Sequence, residues 1–116
     1  MHDELIFEIR EDVVEEITND LKAIMENVYI LGGLRTPIVV KNGKFRNVRP
    51  EHFGAKVLQK IIKMYQLKNI DGIFAGNAVG TGGNIARLMA LEAGIPDNVP
   101  ACTIDMQCAS AAAAID

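Results

Sequence analysis

The sequence predicts an α/β fold in which a mostly parallel sheet is covered by helices in layers. Short apolar runs typical of strands alternate with segments whose apolar residues recur at helical spacing, in the order β-α-β-loop-α-β-α-β-α. One run, residues 70–79, is apolar on both faces, as a central parallel strand would be. Alternation of this kind favours parallel strands joined by helical crossovers.

The first part of the chain is predicted to hold a strand, a helix and a second strand. Residues 4–9 (ELIFEI) alternate polar and apolar side chains, as a strand does. Glu11 and Asp12 suit a helix start, because acidic groups favour the positive end of the helix dipole. A second strand is expected at residues 28–33, and a long loop with a turn at KNGK follows it. The apolar stripe of the helix consists of Val13, Ile17, Leu21, Ile24 and Val28.

Two further strands, each between helices, are predicted after that loop. Pro50 suits the first position of a helix. The strand at residues 70–79 leads through GTGG to Asn84, a suitable N-cap for a short helix that ends before Gly94. A fourth strand is expected at residues 101–106, and ASAAAAI begins a fourth helix. The expected buried face of the helix after Pro50 consists of Phe53, Val57, Leu58, Ile61, Ile62 and Tyr65.

Composition limits the classes of function. The chain has 116 residues, of which 49% are hydrophobic and 23% charged, the ordinary balance of a soluble globular protein. A net charge of −3 does not favour a nucleic-acid or acidic-membrane partner. No apolar run approaches the roughly 20 residues of a membrane-spanning helix. The acidic start MHDELIFEIRED is unlike a signal peptide, so we expect a cytoplasmic protein.

The two cysteines, Cys102 and Cys108, differ in their predicted settings. They have no Cys or His companions at metal-ligand spacing, so neither a disulfide framework nor a metal site is expected. No cofactor is expected either. Cys102 lies within the fourth strand and is expected in the core. Cys108 lies where that strand ends and the next helix begins, and backbone N–H groups there would stabilise a thiolate and a developing oxyanion. Cys108 is therefore either a nucleophile or a buried structural cysteine.

From about residue 28 onward the chain resembles the N-terminal part of a thiolase, an acyl-CoA acyltransferase. The matching pieces are RTPI, GNAVGTGGNIARLMALEAGIP and VPACTIDMQCASAAAAID, in the family's order and at its spacing. The resemblance implies that Cys108 is the nucleophile, which takes the acyl group of an acyl-CoA as a thioester and passes it to a second acyl-CoA or to CoA. It also implies dimer contacts around residues 101–105, so we expect a homo-oligomer. Ala111 stands where many members have glycine.

The same resemblance implies that the chain is catalytically incomplete. The family's histidine in a Gly-His-Pro context, its second cysteine and its CoA-binding loop domain belong to a later part of the family's chain. His2 and His52 match neither role, and His52 is expected at the surface. We therefore expect a thiolase fragment that is inactive alone.

The first residues resemble a different protein, the palm-domain segment of family A DNA polymerases. His2, Asp3 and Glu4 match a motif that carries a metal-binding aspartate there. Two-metal catalysis needs carboxylates from at least two segments, so polymerase activity is not expected.

We interpret the chain as a chimera, artificial or otherwise, of a strand-helix segment at residues 1–28 and a truncated thiolase domain at residues 29–116. One alternative is a natural thiolase variant with an N-terminal extension. Another is a chimeric or designed structural protein with no catalytic function.

Overall fold

The computed structural model describes residues 5–6 and 28–116. The chain divides into two units, Met1–Pro37 and Ile38–Asp116. In the first unit, β1 (Leu5–Ile6) pairs antiparallel with β2 (Gly33–Leu34). The first predicted strand is thus confirmed at its two described residues. The helix predicted after it falls outside the described residues.

The strand predicted at residues 28–33 is wrong in its position, because β2 shares only Gly33 with that range. No described strand pairs with residues 28–32, and an extended segment becomes a strand only when a neighbour satisfies its backbone groups. Val28 is 96% exposed, so the apolar character of this run does not reflect burial.

The second unit contains every element that the sequence predicts from Pro50 onward. β3 and β4 form a parallel pair in which Ile73 lies opposite Ala101 and Gly76 lies opposite Ile104. Both strands have four residues and are shorter than predicted. The α/β class is confirmed, with one parallel and one antiparallel pair among the described strands. The elements are α1 (Pro50–Met64), β3 (Ile73–Gly76), α2 (Ile85–Glu92), β4 (Ala101–Ile104) and α3 (Ser110–Ile115).

The hydrophobic core lies on the face of the β3–β4 pair that α1 and α2 cover. Its centre is Ala90, Ile95 and Val99. The expected buried face of α1 is only partly right, because Leu58 and Ile62 pack on this core but are half-buried. The two helices approach so closely that a methyl group on Gly54 of α1 would meet the sulfur of a methionine in α2. The buried residues of α1 are Glu51 and Ala55.

The opposite face of the strand pair carries α3. Successive side chains of a strand point to opposite faces, so Ile73 faces the core and Gly76 faces away from it. A methyl group on Gly76 would lie 2.5 Å from the backbone nitrogen of Ala111 in α3. Helices therefore lie on both faces of the strand pair, as the layered prediction requires.

Local signals in the sequence explain where the helices begin and end. Pro50 occupies the start of α1, and the side chain of Asn84 caps α2 by accepting a hydrogen bond from the Arg87 N–H at 3.1 Å. Gly94, with φ of 78°, follows α2 in the left-handed conformation that glycine tolerates. In the KNGK turn, Gly43 donates its N–H to the Val40 carbonyl at 2.9 Å.

Among the described residues, no helix combines the length and apolarity needed to cross a bilayer.

Candidate active site

Cys108 lies in the turn that joins β4 to α3. β4 ends at Ile104, and α3 begins at Ser110 with Ala109 as its N-cap. The predicted position between a strand and a helix is therefore confirmed. Cys108 is exposed, so the reading of a buried structural cysteine is wrong.

The turn before the thiol is held by hydrogen bonds on both sides of Gln107. This residue has a φ of 52°, in the left-handed region that non-glycine residues adopt uncommonly. Its N–H donates to the side-chain Oδ1 of Asp105 at 3.0 Å. The N–H of Ala109 donates to the Met106 carbonyl at 3.0 Å, which closes the turn around Cys108.

The side chain of Ser110 completes this turn. It is 4% exposed, and its Oγ accepts the N–H of Met106 at 2.8 Å. The same hydroxyl donates to the Gln107 carbonyl at 2.6 Å, and the Ser110 N–H donates to that carbonyl at 3.1 Å. Three hydrogen bonds thus join Ser110 to the two residues that precede Cys108.

Cys108 lies between the residues that these hydrogen bonds join. Cys108 forms an isolated β-bridge with Met106, and its thiol is free and exposed. The described histidine, His52, is at the surface as expected and contacts the carboxylate of Glu92 at the end of α2. The thiol of Cys108 is therefore accessible, and His52 has Glu92 as its partner.

The prediction that Cys102 lies in the core is wrong, because its side chain is exposed. Cys102 is in register with Phe74, so the two side chains share the face on which Gly76 meets α3. The contact with α3 is at the Gly76 end of the strand, and Phe74 is 61% exposed. Burial of a strand residue depends on what covers its face, and here the core lies on the other face.

An open cleft of about 520 Å³ runs along β4 and includes Cys102 but not Cys108. Asn84 organises it. The side-chain amide of Asn84 donates to the Ala101 carbonyl at 2.9 Å, and its Oδ1 accepts the Thr103 hydroxyl at 2.7 Å. Thr103 in turn accepts the N–H of Ala86 at 3.0 Å, which ties the start of α2 to β4. The lining residues are Asn77, Ala78, Gly80, Thr81, Gly82, Gly83, Asn84, Ala101, Cys102, Thr103 and Asp105.

The cleft offers little for a charged group or a metal ion. Asp105 is the charged residue of its lining, and one of its oxygens already accepts the Gln107 N–H. Across residues 28–116, no group of three or more His, Cys, Asp or Glu side chains is placed to hold a metal ion. The candidate site for chemistry is therefore the turn around Cys108.

Sequence reasoning missed the two residues that shape this turn. For Ser110 the available signal is its position two residues after the cysteine. Gly76 lies far from Cys108 in the sequence, and nothing local marks it as the contact for α3. Asn84 was identified as a helix cap, but its bonds to β4 were not.

Comparison with known proteins places most of this chain in one family. Residues 28–116 match the thiolase N-terminal domain family. YhfS of Bacillus subtilis (strain 168), which carries the name of an acetyl-CoA C-acetyltransferase, is 38% identical over 89 residues, covering 77% of this chain and 24% of YhfS. VraB of Staphylococcus aureus (strain COL), named in the same way, is 38% identical over 88 residues, covering 74% of this chain and 23% of VraB.

The matched region includes the whole of the second unit, with β4, Cys108 and α3. The chain spans about a quarter of the length of these relatives, at 24% and 23%. The likeness therefore covers the fold and the turn around the cysteine, and not the remainder of those proteins. On the match of residues 28–116, this chain belongs to the thiolase N-terminal domain family.

Proposed function

We propose that this chain carries the nucleophilic cysteine of a thiolase-type acyl-CoA acyltransferase, and that Cys108 is that nucleophile. The observation that carries the proposal is the free, exposed thiol of Cys108 in a hydrogen-bonded turn, within the residues that match the family. The names of YhfS and VraB support an acyl-CoA as the substrate class.

The proposed step is acyl transfer to sulfur. The Cys108 thiol loses its proton to solvent, and the thiolate attacks the carbonyl carbon of an acyl-CoA thioester. A bond forms between Sγ and that carbon, the bond from the carbon to the CoA sulfur breaks, and the CoA thiolate leaves and takes up a proton. A backbone N–H group of this turn is suited to stabilise the oxyanion that develops before the CoA leaves.

We propose further that the chain accepts an acyl group slowly and does not turn over by itself. Turnover needs a positioned acid or base to move protons on and off the leaving and attacking groups. The resemblance assigns those roles to a histidine and a second cysteine in other parts of the family's chain. Among the described residues, the side chain of Cys108 has no histidine partner, since His52 contacts Glu92 instead.

The test is incubation of the purified chain with acetyl-CoA, followed by peptide mass spectrometry. We expect an acetyl group on Cys108 and not on Cys102, which is exposed as well and serves as an internal control. Cys108→Ala should abolish the adduct. Acetylation of neither cysteine, or of both equally, contradicts the assignment. Clear thiolysis of acetoacetyl-CoA by the pure chain would contradict the proposed lack of turnover.

A chimeric or designed structural protein without catalytic function is the second candidate. The start of the family match at residue 28 favours it, because residues 1–27 lie outside the match. On this proposal His2, Asp3 and Glu4 derive from a polymerase palm segment, residues 29–116 derive from a thiolase, and the join lies at residues 27–30. The gene sequence across that join tests the origin, since a continuous natural reading frame in a genome contradicts an artificial fusion.

We also propose that the chain forms a homo-oligomer in the cytoplasm. The second unit exposes large apolar side chains in β3 and in the loop after it, with Phe74 at 61% and Val79 at 94% exposed. Both cysteines are free, which fits a reducing compartment. Light scattering at high protein concentration tests the oligomer, and a strictly monomeric mass contradicts it.

A further inference from the structure

We propose that Ser110 is the positioning residue of Cys108, because its buried hydroxyl holds the shape of the turn that presents the thiol. This inference rests on the proposed role of Cys108 as the nucleophile. The hydroxyl accepts from the Met106 N–H at 2.8 Å and donates to the Gln107 carbonyl at 2.6 Å. It therefore joins the two residues before the thiol to the first turn of α3.

The turn needs such a restraint because Gln107 is in a costly conformation. A left-handed φ of 52° in a residue that is not glycine is unfavourable and persists only when its surroundings enforce it. Asp105 holds the N–H of Gln107, and Ser110 holds its carbonyl through both the hydroxyl and the N–H. Loss of the hydroxyl removes one of these restraints and frees the Met106 N–H at the same time.

The backbone of Ser110 packs against Gly76 of β3. A methyl group on Gly76 would lie 2.5 Å from the Ser110 carbonyl carbon, so the backbone of Ser110 is seated directly on β3. The contact involves backbone atoms, which cannot rotate away. The rigid strand pair thus supports Ser110, and Ser110 supports the turn that carries Cys108.

The role assigned to Ser110 differs from that of a residue that only stabilises the fold. Acyl transfer passes through an oxyanion, which a correctly placed backbone N–H stabilises by a hydrogen bond. Alkylation by iodoacetamide displaces iodide and forms no oxyanion. A residue that positions the turn therefore affects acyl transfer more than alkylation. A residue that acts only on folding affects both reactions through the same unfolded fraction.

The experiment compares Ser110→Ala with the wild-type chain in two reactions at Cys108, acetylation by acetyl-CoA and alkylation by iodoacetamide. We expect Ser110→Ala to slow acetylation about tenfold, as misplacement near a reacting centre does, and to leave alkylation almost unchanged. Ser110→Thr keeps a hydroxyl and should restore acetylation. Ala112→Ser, at an exposed position in α3, is the matched control and should change neither rate.

The outcomes separate this inference from the proposed function. Wild-type acetylation at Cys108 that Ser110→Ala leaves unchanged overturns the role of Ser110 alone, whereas no wild-type acetylation overturns both. Equal slowing of the two reactions also overturns the positioning role. If Ser110→Ala does not fold, amide hydrogen exchange of the wild-type chain decides. The Met106 amide should be protected by the Ser110 hydroxyl, and rapid exchange there contradicts the inference.

Discussion

Gly76 of β3 lies directly beneath Ser110, and a methyl group on Gly76 would lie 2.5 Å from the Ser110 carbonyl carbon and 2.7 Å from its oxygen. This close approach sets the distance between the strand pair and α3. It also places the start of α3 at the end of the turn that carries Cys108. The absence of a side chain at one glycine thus determines where the candidate nucleophile lies.

The substitution Gly76→Ala should therefore lower the free energy of unfolding by about 1–3 kcal/mol, because the added methyl group overpacks a contact between backbone atoms. Urea denaturation followed by circular dichroism measures the change. Gly82→Ala is the control, since a methyl group there meets nothing within 4 Å. Equal effects of the two substitutions would show that α3 does not rest on Gly76.

Replacement of Asn84 should separate its role as a helix cap from its bonds to β4. Asn84→Ala removes both and should cost about 1–2 kcal/mol in the free energy of unfolding. Asn84→Asp keeps an oxygen for the Arg87 N–H but cannot donate to the Ala101 carbonyl, so its cost should be intermediate.

The same denaturation measurement serves both Asn84 variants. Asn98→Ala, at an exposed position, is the control and should change the free energy by less than about 0.5 kcal/mol. An Asn84→Asp variant as unstable as Asn84→Ala would show that the cap contributes nothing measurable.

The contact between His52 of α1 and Glu92 of α2 should contribute little. The two side chains are 50% and 38% exposed, and solvent-exposed ion pairs typically contribute less than about 1 kcal/mol. A double-mutant cycle with His52→Ala and Glu92→Ala measures the coupling energy. The coupling should fall further in about 1 M salt, which screens exposed charges. A coupling well above this bound would indicate that the pair is shielded from solvent.

The exposure of Cys102 predicts that its side chain is dispensable for stability. Cys102→Ala should change the free energy of unfolding by less than about 0.5 kcal/mol, as at other surface positions. Ile95→Ala, at a position in the core that is 5% exposed, is the contrast and should cost about 2–5 kcal/mol. A large loss on Cys102→Ala would restore the original expectation that this cysteine is a core residue.

The correct expectations rest on features within a few residues of one another, whereas the incorrect ones depend on contacts with other segments. Pro50, Asn84 and Gly94 act through backbone conformation and hydrogen bonds within a few residues, so the sequence alone was sufficient to place the helix ends they mark. The strand at residues 28–33 and the burial of Cys102 were wrong. Each depended on a neighbour that apolar character does not reveal.

By itself, then, the sequence determined the α/β order of the second unit, its helix ends and the place of Cys108 between a strand and a helix, because those features follow from periodicity and caps. Only the tertiary structure decided that Cys102 faces away from the core and that Gly76 seats Ser110 beneath the turn. The physical reason is that burial and contact depend on which segments meet across a sheet. Such contacts join residues that are far apart in the chain, and no short stretch of sequence encodes them.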